Sequence, residues 1–188
     1  MANVATEDRG KKRARLTEAA TDLFYKQGVD NTKLSDVAEA SKVPLGNIYY
    51  HFKTKDDLTK AVIKNRAAEL AASLAEAECE GEPLDKLLAL VHNSRAQQDI
   101  ISRYGCPYAS LFHDLDKLGE QDTGWLFQLY LDYAERQFAA LELDNASDLA
   151  VELISSMQGA YLLANALKSQ ELLESQLDRL ESWLNALI

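Results

Sequence analysis

Asn47, Tyr49, Tyr50, His51, Lys53 and Lys55 lie within nine residues of a chain whose formal net charge is -10. Amide, phenol, imidazole and ammonium groups at that density make a set of donors and cations suited to phosphate oxygens and base edges. Other chemistries find less support. The two cysteines, Cys79 and Cys106, and the three histidines, His51, His92 and His113, show no metal-ligand spacing, so neither a metal nor another cofactor is expected. No serine, histidine and aspartate share a motif that would assemble a nucleophile and a base, which argues against an enzyme.

The charge distribution sharpens this reading. Residues 1–66 hold 13 Lys and Arg against 9 Asp and Glu, a net of +4, whereas the remainder holds 7 against 21, a net of -14. A basic module attached to an acidic body points to a polyanionic partner for the first part alone. Composition is 47% hydrophobic with only 3 prolines and 8 glycines in 188 residues, which predicts a globular, all-α chain. No charge-free apolar run reaches the roughly 18 residues a spanning helix needs, and no apolar stretch follows the basic residues near the start. A cytoplasmic protein without a membrane partner is expected.

These side chains must be positioned by helices. The first is predicted from about Arg9 to Gln27, with Leu16, Ala20, Leu23 and Phe24 on one face and Gly28 as a left-handed cap. The next begins near Thr32 as N-cap and ends around Ala40, burying Leu34, Val37 and Ala38. After the turn "SKV", Pro44 is placed at the first position of a third helix that reaches about His51. Ile48 and Phe52 dock this short helix, and its other face carries Leu45, Asn47, Tyr49 and Tyr50. Two helices joined by a tight turn, the second polar outside, form a helix-turn-helix whose second helix enters a DNA major groove.

The stretch "LSDVAEASKVPLGNIYYHFKTKDDL" resembles the DNA-binding signature of the tetracycline-repressor (TetR) family of bacterial regulators. The resemblance rests on Gly28 and Thr32, Val37-Ala38, Val43, Gly46, Ile48-Tyr49, His51-Phe52, Lys55 and Leu58, about the first third of the chain. The chain departs from the family's pattern at Ser41-Lys42, where Ala-Gly is usual, and at Pro44, where a small hydroxyl residue is usual. Lys42 is therefore expected to take a glycine-like conformation at a cost of about 1 kcal/mol. Thr32, Tyr49, His51 and Lys55 can bond phosphates, with Lys33 and Lys42 adding charge. Asn47 can read a base edge, Tyr50 can meet a thymine methyl or a base, Leu45 offers an apolar contact, and Gly46 permits close approach. Lys11, Lys12, Arg13 and Arg15 read equally well as a phosphate arm or as a solvated face.

The expected organisation is a three-helix DNA-binding domain over 1–54 and a helical-bundle domain for effector binding and dimerisation over 55–188. A continuous helix is predicted from Lys55 to Glu78, and a long one opens at Pro83, carries Ile101 on its buried side and stops at "YGCP". Further helices are expected over Pro107–Leu118, Thr123–Leu143, Ser147–Lys168 and Gln170–Leu187. The resemblance implies a small-molecule pocket in this body, for which Tyr104, Cys106, Phe112, His113, Trp125, Tyr130, Tyr133 and Tyr161 are candidates. It also implies that the last two helices pair with those of a second copy, through Leu153, Met157, Gly159, Ala160, Leu177, Leu180, Trp183 and Leu184. The alternative is that they only close the protomer's own core.

The function implied is a homodimeric repressor that binds a palindromic operator in double-stranded DNA and is released by an effector. An alternative on the same scaffold is a thiol sensor, with Cys106 in "GCP" at a helix N-cap that lowers its pKa, set against a small buried apolar residue. An effector-free architectural DNA binder would leave the large body unexplained.

Overall fold

The computed structural model describes residues 2–111 and 124–187, with side chains from residue 9 onward. It is helical, with no strand among the described residues, and divides into two compact units, Met1–Glu69 with Ser110–Glu120 and Leu70–Ala109 with Gln121–Ile188.

The first unit begins with α1 (Ala2–Gln27), followed by α2 (Leu34–Ser41), α3 (Leu45–His51) and the first part of α4 (Lys55–Ala77). Leu16, Ala20 and Phe24 are buried as one stripe of α1 and share the core with Val37, Val43, Ile48, Phe52, Leu58 and Val62. The α1 helix ends at Gly28 (φ 82°), whose N–H donates to Phe24 O at 2.9 Å. This left-handed cap is one a Cβ would strain. Lys42 adopts the expected left-handed conformation (φ 55°, ψ 33°) and closes α2 through bonds to Ala38 and Glu39 carbonyls. Thr54 and Asp57 bond each other's backbone N–H at the start of α4, at 3.0 and 3.2 Å, which is a capping box. The beginning of α4 is tied to α1, with Asn65 Nδ2 donating to Thr21 Oγ1 and Arg66 standing over the Tyr25 ring. For that reason the compact unit extends past residue 54, where the sequence places its boundary.

Two details differ from the sequence reading. Lys33, not Thr32, is the N-cap of α2, and its backbone N–H donates to Asp36 Oδ2 at 2.9 Å. Pro44 precedes α3 as its N-cap, with an extended ψ of 139°, instead of occupying the first helical turn. Its carbonyl is thereby free to accept from Asn47 N–H at 2.8 Å.

The second unit contains the remainder of α4, then α5 (Pro83–Ala96), α6 (Gln98–Tyr104), α7 (Trp125–Ala140), α8 (Ala146–Leu167) and α9 (Gln170–Ala186); of the helical residues 109–111, the last two belong to the first unit. The long helix expected from Pro83 is broken at Gln97 (φ -108°, ψ 10°). The break re-aims α6, so that both pieces reach neighbours in the bundle: α5 packs on α7 and α9, and α6 on α8 and α9. Leu149, Leu153, Met157, Tyr161 and Ala164 of α8 and Leu173, Leu177, Leu180 and Leu184 of α9 are buried as predicted stripes of one core. No described helix is long and apolar enough to cross a membrane.

Candidate nucleic-acid interface

The seven-residue α3 is too short to stand alone, and its burial comes from one side. Ile48 is fully buried while Tyr49 and Tyr50 are 57% and 64% exposed, and Leu45, Gly46 and Asn47 are exposed beside them. Two adjacent exposed rings beside Leu45 make a contiguous partly apolar patch of the kind that marks an interaction site, and they share the outer face with an amide. Lys33, Lys42 and Pro44 are also exposed, and Lys55 is partly so. Ten of the eleven sequence-predicted DNA residues are thus exposed or partly exposed on the first unit, with His51 half-buried among them.

Thr32 is the exception. It is 1% exposed, and its hydroxyl donates to Gly28 O at 2.8 Å and accepts from Gln27 Nε2 at 3.2 Å. A side chain so enclosed staples the α1–α2 turn, and the expected phosphate contact is corrected accordingly. For Gly46 the reverse holds. A Cβ built there meets nothing within 4 Å, so the protein's own packing does not require glycine. Gly46→Ala is expected to fold at least as stably, gaining up to about 1 kcal/mol of helix propensity, yet to bind DNA more weakly because the methyl group stands where the duplex must approach. Thermal melts paired with anisotropy titrations check both halves of that expectation.

Sequence reasoning missed the role of the basic residues of α1. Arg13 stands 4.2 Å from the Phe52 ring centroid and its Nη1 donates to His51 O at 3.5 Å, at the carbonyl end of α3. Arg15 Nη2 donates to Ser41 O, at the carbonyl end of α2. Arg9 stands 4.7 Å from the Tyr50 ring centroid, and Tyr50 meets His51 edge-on at 5.3 Å. Cations at helix C-termini satisfy orphan carbonyls and complement the helix dipole. The signal lay in the spacing: Arg9 and Arg13 extend the Leu16–Ala20–Phe24 stripe backwards by three and four residues.

His51 carries the electrostatic consequence. Burial, then the positive field of Arg9, Arg13 and Lys12, holds its imidazole pKa below 6.5. The folded state therefore prefers the neutral ring, and this stability is lost as pH falls below 6.5 through the folded value. An arriving phosphate offsets the same field and favours the imidazolium, so binding takes up a proton. DNA affinity is expected to rise as pH falls through the bound-state pKa and to level off below the free-state one. His51→Gln should flatten this profile in titrations across about pH 5 to 8, the histidine range.

In the second unit, some effector candidates meet and others do not. The Tyr108 and Tyr130 rings pack edge-on at 5.8 Å, and the Tyr161 hydroxyl hydrogen-bonds the Ser94 hydroxyl within the core. Burial raises the Tyr161 and Tyr130 hydroxyls well above the usual phenol range, with Cys106 and Tyr108 nearby contributing, so both stay neutral donors. Tyr133 lies elsewhere in the bundle, with burial and the nearby Glu78 pushing it up to about 12. Tyr104 and Trp125 are partly exposed. Phe112 and His113 lie outside the described residues.

Cys106 is 6% exposed and sits in a loop after Gly105 (φ 87°), two turn residues before the helical residues 109–111. The expected N-cap thiol is thereby corrected: an enclosed sulfur away from a helix start lacks the access a sensor needs. Cys79, by contrast, is exposed. Iodoacetamide is expected to label Cys79 well before Cys106, which peptide mass mapping of a time course would reveal.

The expected dimer residues are also corrected. Leu153, Met157, Ala160, Leu177, Leu180 and Leu184 are buried inside the protomer, and Trp183 packs on Phe138 with ring centroids 6.1 Å apart. Of the eight, Gly159 alone stands on the outward side of α8, partly exposed with open space at its Cβ position. Along that side run Val151, Ser155, Gly159, Leu162, Leu163 and Leu167, with the leucines and valine 52 to 69% exposed. The most regular apolar stripe, which suggests an interface in the sequence, serves the protomer core instead.

A short helix docked by Ile48 and Phe52, with an exposed aromatic and amide face beyond a tight turn, defines a helix-turn-helix DNA-binding regulator. Residues 16–62 match the family described as bacterial regulatory proteins, tetR family. Over those residues the chain matches the N-terminal region of TetR-family regulators, and the curated relatives it resembles are HTH-type transcriptional regulators, not enzymes. An HTH-type transcriptional regulator in the lacX 3′ region of Lactococcus lactis subsp. lactis, itself uncharacterised, is 28% identical over 89% of this chain and 90% of its own. The regulator TtgR of Pseudomonas putida is 39% identical, over less than half of either chain. Among solved structures, a TetR regulator from Chloroflexus aurantiacus J-10-FL superposes with a TM-score of 0.80 at 22% identity, covering 95% and 96% of the two chains. The fold of the whole chain is thus that of TetR-family regulators, all-helical with an N-terminal helix-turn-helix and a C-terminal helical domain.

Proposed function

We propose that the protein is a homodimeric, cytoplasmic repressor that binds a palindromic operator in double-stranded DNA and is released by a small-molecule effector. The observation that carries this reading is the outer face of α3, where Asn47, Tyr49 and Tyr50 are exposed over a fully buried Ile48. Tyr49, His51, Lys33, Lys42 and Lys55 anchor phosphates, while Asn47, Tyr50 and Leu45 read bases. The domain over 1–54, joined by Lys55 at the start of α4, does the DNA work, and the rest of 55–188 serves effector binding and dimerisation.

Dimerisation uses the outward stripe of α8. Val151, Leu162, Leu163 and Leu167 form a row of exposed apolar side chains, and Gly159 lets a facing helix approach closely. The effector is an apolar or aromatic molecule with a hydrogen-bond acceptor, recognised around Tyr108, Tyr130 and Tyr161, where the neutral hydroxyls of Tyr130 and Tyr161 suit such a group. It acts by binding better to a state with low operator affinity.

Selection of duplexes from a random DNA pool at fixed salt tests the reading. A two-fold enriched sequence is expected, and anisotropy of its complex should fall on addition of an effector drawn from a panel of neutral aromatic compounds. A protein that enriches no duplex would overturn it.

A further inference from the structure

The basic residues of α1 touch the recognition element at three places, and each contact has a geometry that charge alone does not require. The Arg9 guanidinium lies over the ring of Tyr50, and the Arg13 guanidinium lies over the ring of Phe52 while donating to the His51 carbonyl. Tyr50 in turn meets His51 edge-on at 85°. An exposed tyrosine on a seven-residue helix otherwise has several rotamers open to it. A planar cation over its face, with an imidazole at its edge, restricts that choice before any DNA arrives. Arg13 does the same for the end of the helix, because it holds both the Phe52 ring that anchors α3 and the last helical carbonyl.

We propose that Arg9 and Arg13 are positioning residues for sequence recognition, their planar guanidiniums holding Tyr50 of α3, with His51 at its edge, in the orientation that reads bases. The proposal rests on the operator reading above. It separates two uses of a basic arm. A phosphate contact works through charge, so lysine replaces arginine with little loss and every DNA sequence benefits equally. A stacking clamp works through shape, so lysine does not replace arginine, and the loss falls on discrimination. Preorganisation of the reading face lowers the ordering cost of the specific complex, while the looser nonspecific complex gains little from it.

The test uses the full chain and two duplexes: the sequence enriched by the wild type, and a scrambled one of the same composition. Arg9→Lys is expected to lower the ratio of enriched to scrambled affinity by about two- to fivefold, the size of an exposed cation–π contact, and the Arg9→Lys, Arg13→Lys pair by about tenfold. Affinity for the scrambled duplex and its salt slope should stay as in the wild type. An unchanged ratio overturns the proposal, as does an equal loss on both duplexes with a shallower salt slope, which would make the arm a phosphate contact. Arg9 is exposed, so its single variant keeps the test valid if the pair melts early. A wild type that enriches nothing removes the operator reading itself, an outcome separate from a wild type that discriminates and a variant that discriminates equally.

Discussion

Replacing Asn47 and Tyr50 together by alanine is expected to erase operator discrimination while leaving the protein folded. Both side chains are exposed, and neither belongs to the core built by Ile48, Phe52, Leu58 and Val62, so the melting temperature should stay near the wild-type value. Each base contact contributes about 1–3 kcal/mol of discrimination. If the two act independently, the pair removes about 2–6 kcal/mol, enough to bring the enriched sequence close to a scrambled duplex. Nonspecific binding should survive, because Lys33, Lys42 and Lys55 are untouched. Titrations of both duplexes at matched salt read the difference directly.

The second large effect is expected at α8. Leu163→Glu combined with Leu167→Glu places two carboxylates on the exposed apolar stripe, where a facing copy would have to desolvate them. The wild type should sediment as a species of twice the 20.9 kDa chain mass, and the variant as a single chain. Neither leucine is part of the buried core, so the helical signal and melting of the protomer should persist. Operator affinity should fall by orders of magnitude, because one protomer no longer holds the other at the second half-site. A variant that remains dimeric would place the interface elsewhere.

Much of the fold was legible because burial follows helical periodicity. The stripes Leu16–Ala20–Phe24 and Leu173–Leu177–Leu180–Leu184 could be read directly and are buried as expected. The helix-turn-helix was legible for the same reason, sharpened by Gly28, the turn at Lys42 and the docking pair Ile48 and Phe52. Periodicity, however, shows that a face is apolar without showing what covers it. Leu153, Met157 and Leu177 belong to the protomer core, whereas the broken run Val151, Leu162, Leu163, Leu167 stays exposed and looks weaker in sequence. The bend at Gln97 escaped notice because no glycine or proline marks it, and the pattern continues across it into Ile101. Thr32 was misread because a hydroxyl before a helix is usually a cap, and only the structure shows it turned back onto Gly28. The arginines of α1 combine both difficulties. Their spacing continues an apolar stripe, but their chemistry suggests solvent.

In the proposed complex, two copies of α3 read two halves of one operator. Titrating the enriched duplex, and the same duplex with one half scrambled, while native mass spectrometry counts the chains bound, tests this arrangement. Two chains are expected on the intact duplex, with half-site centres about one helical turn or slightly more apart, and affinity should fall steeply when either half is scrambled. One chain per duplex, with affinity indifferent to the second half, would contradict it.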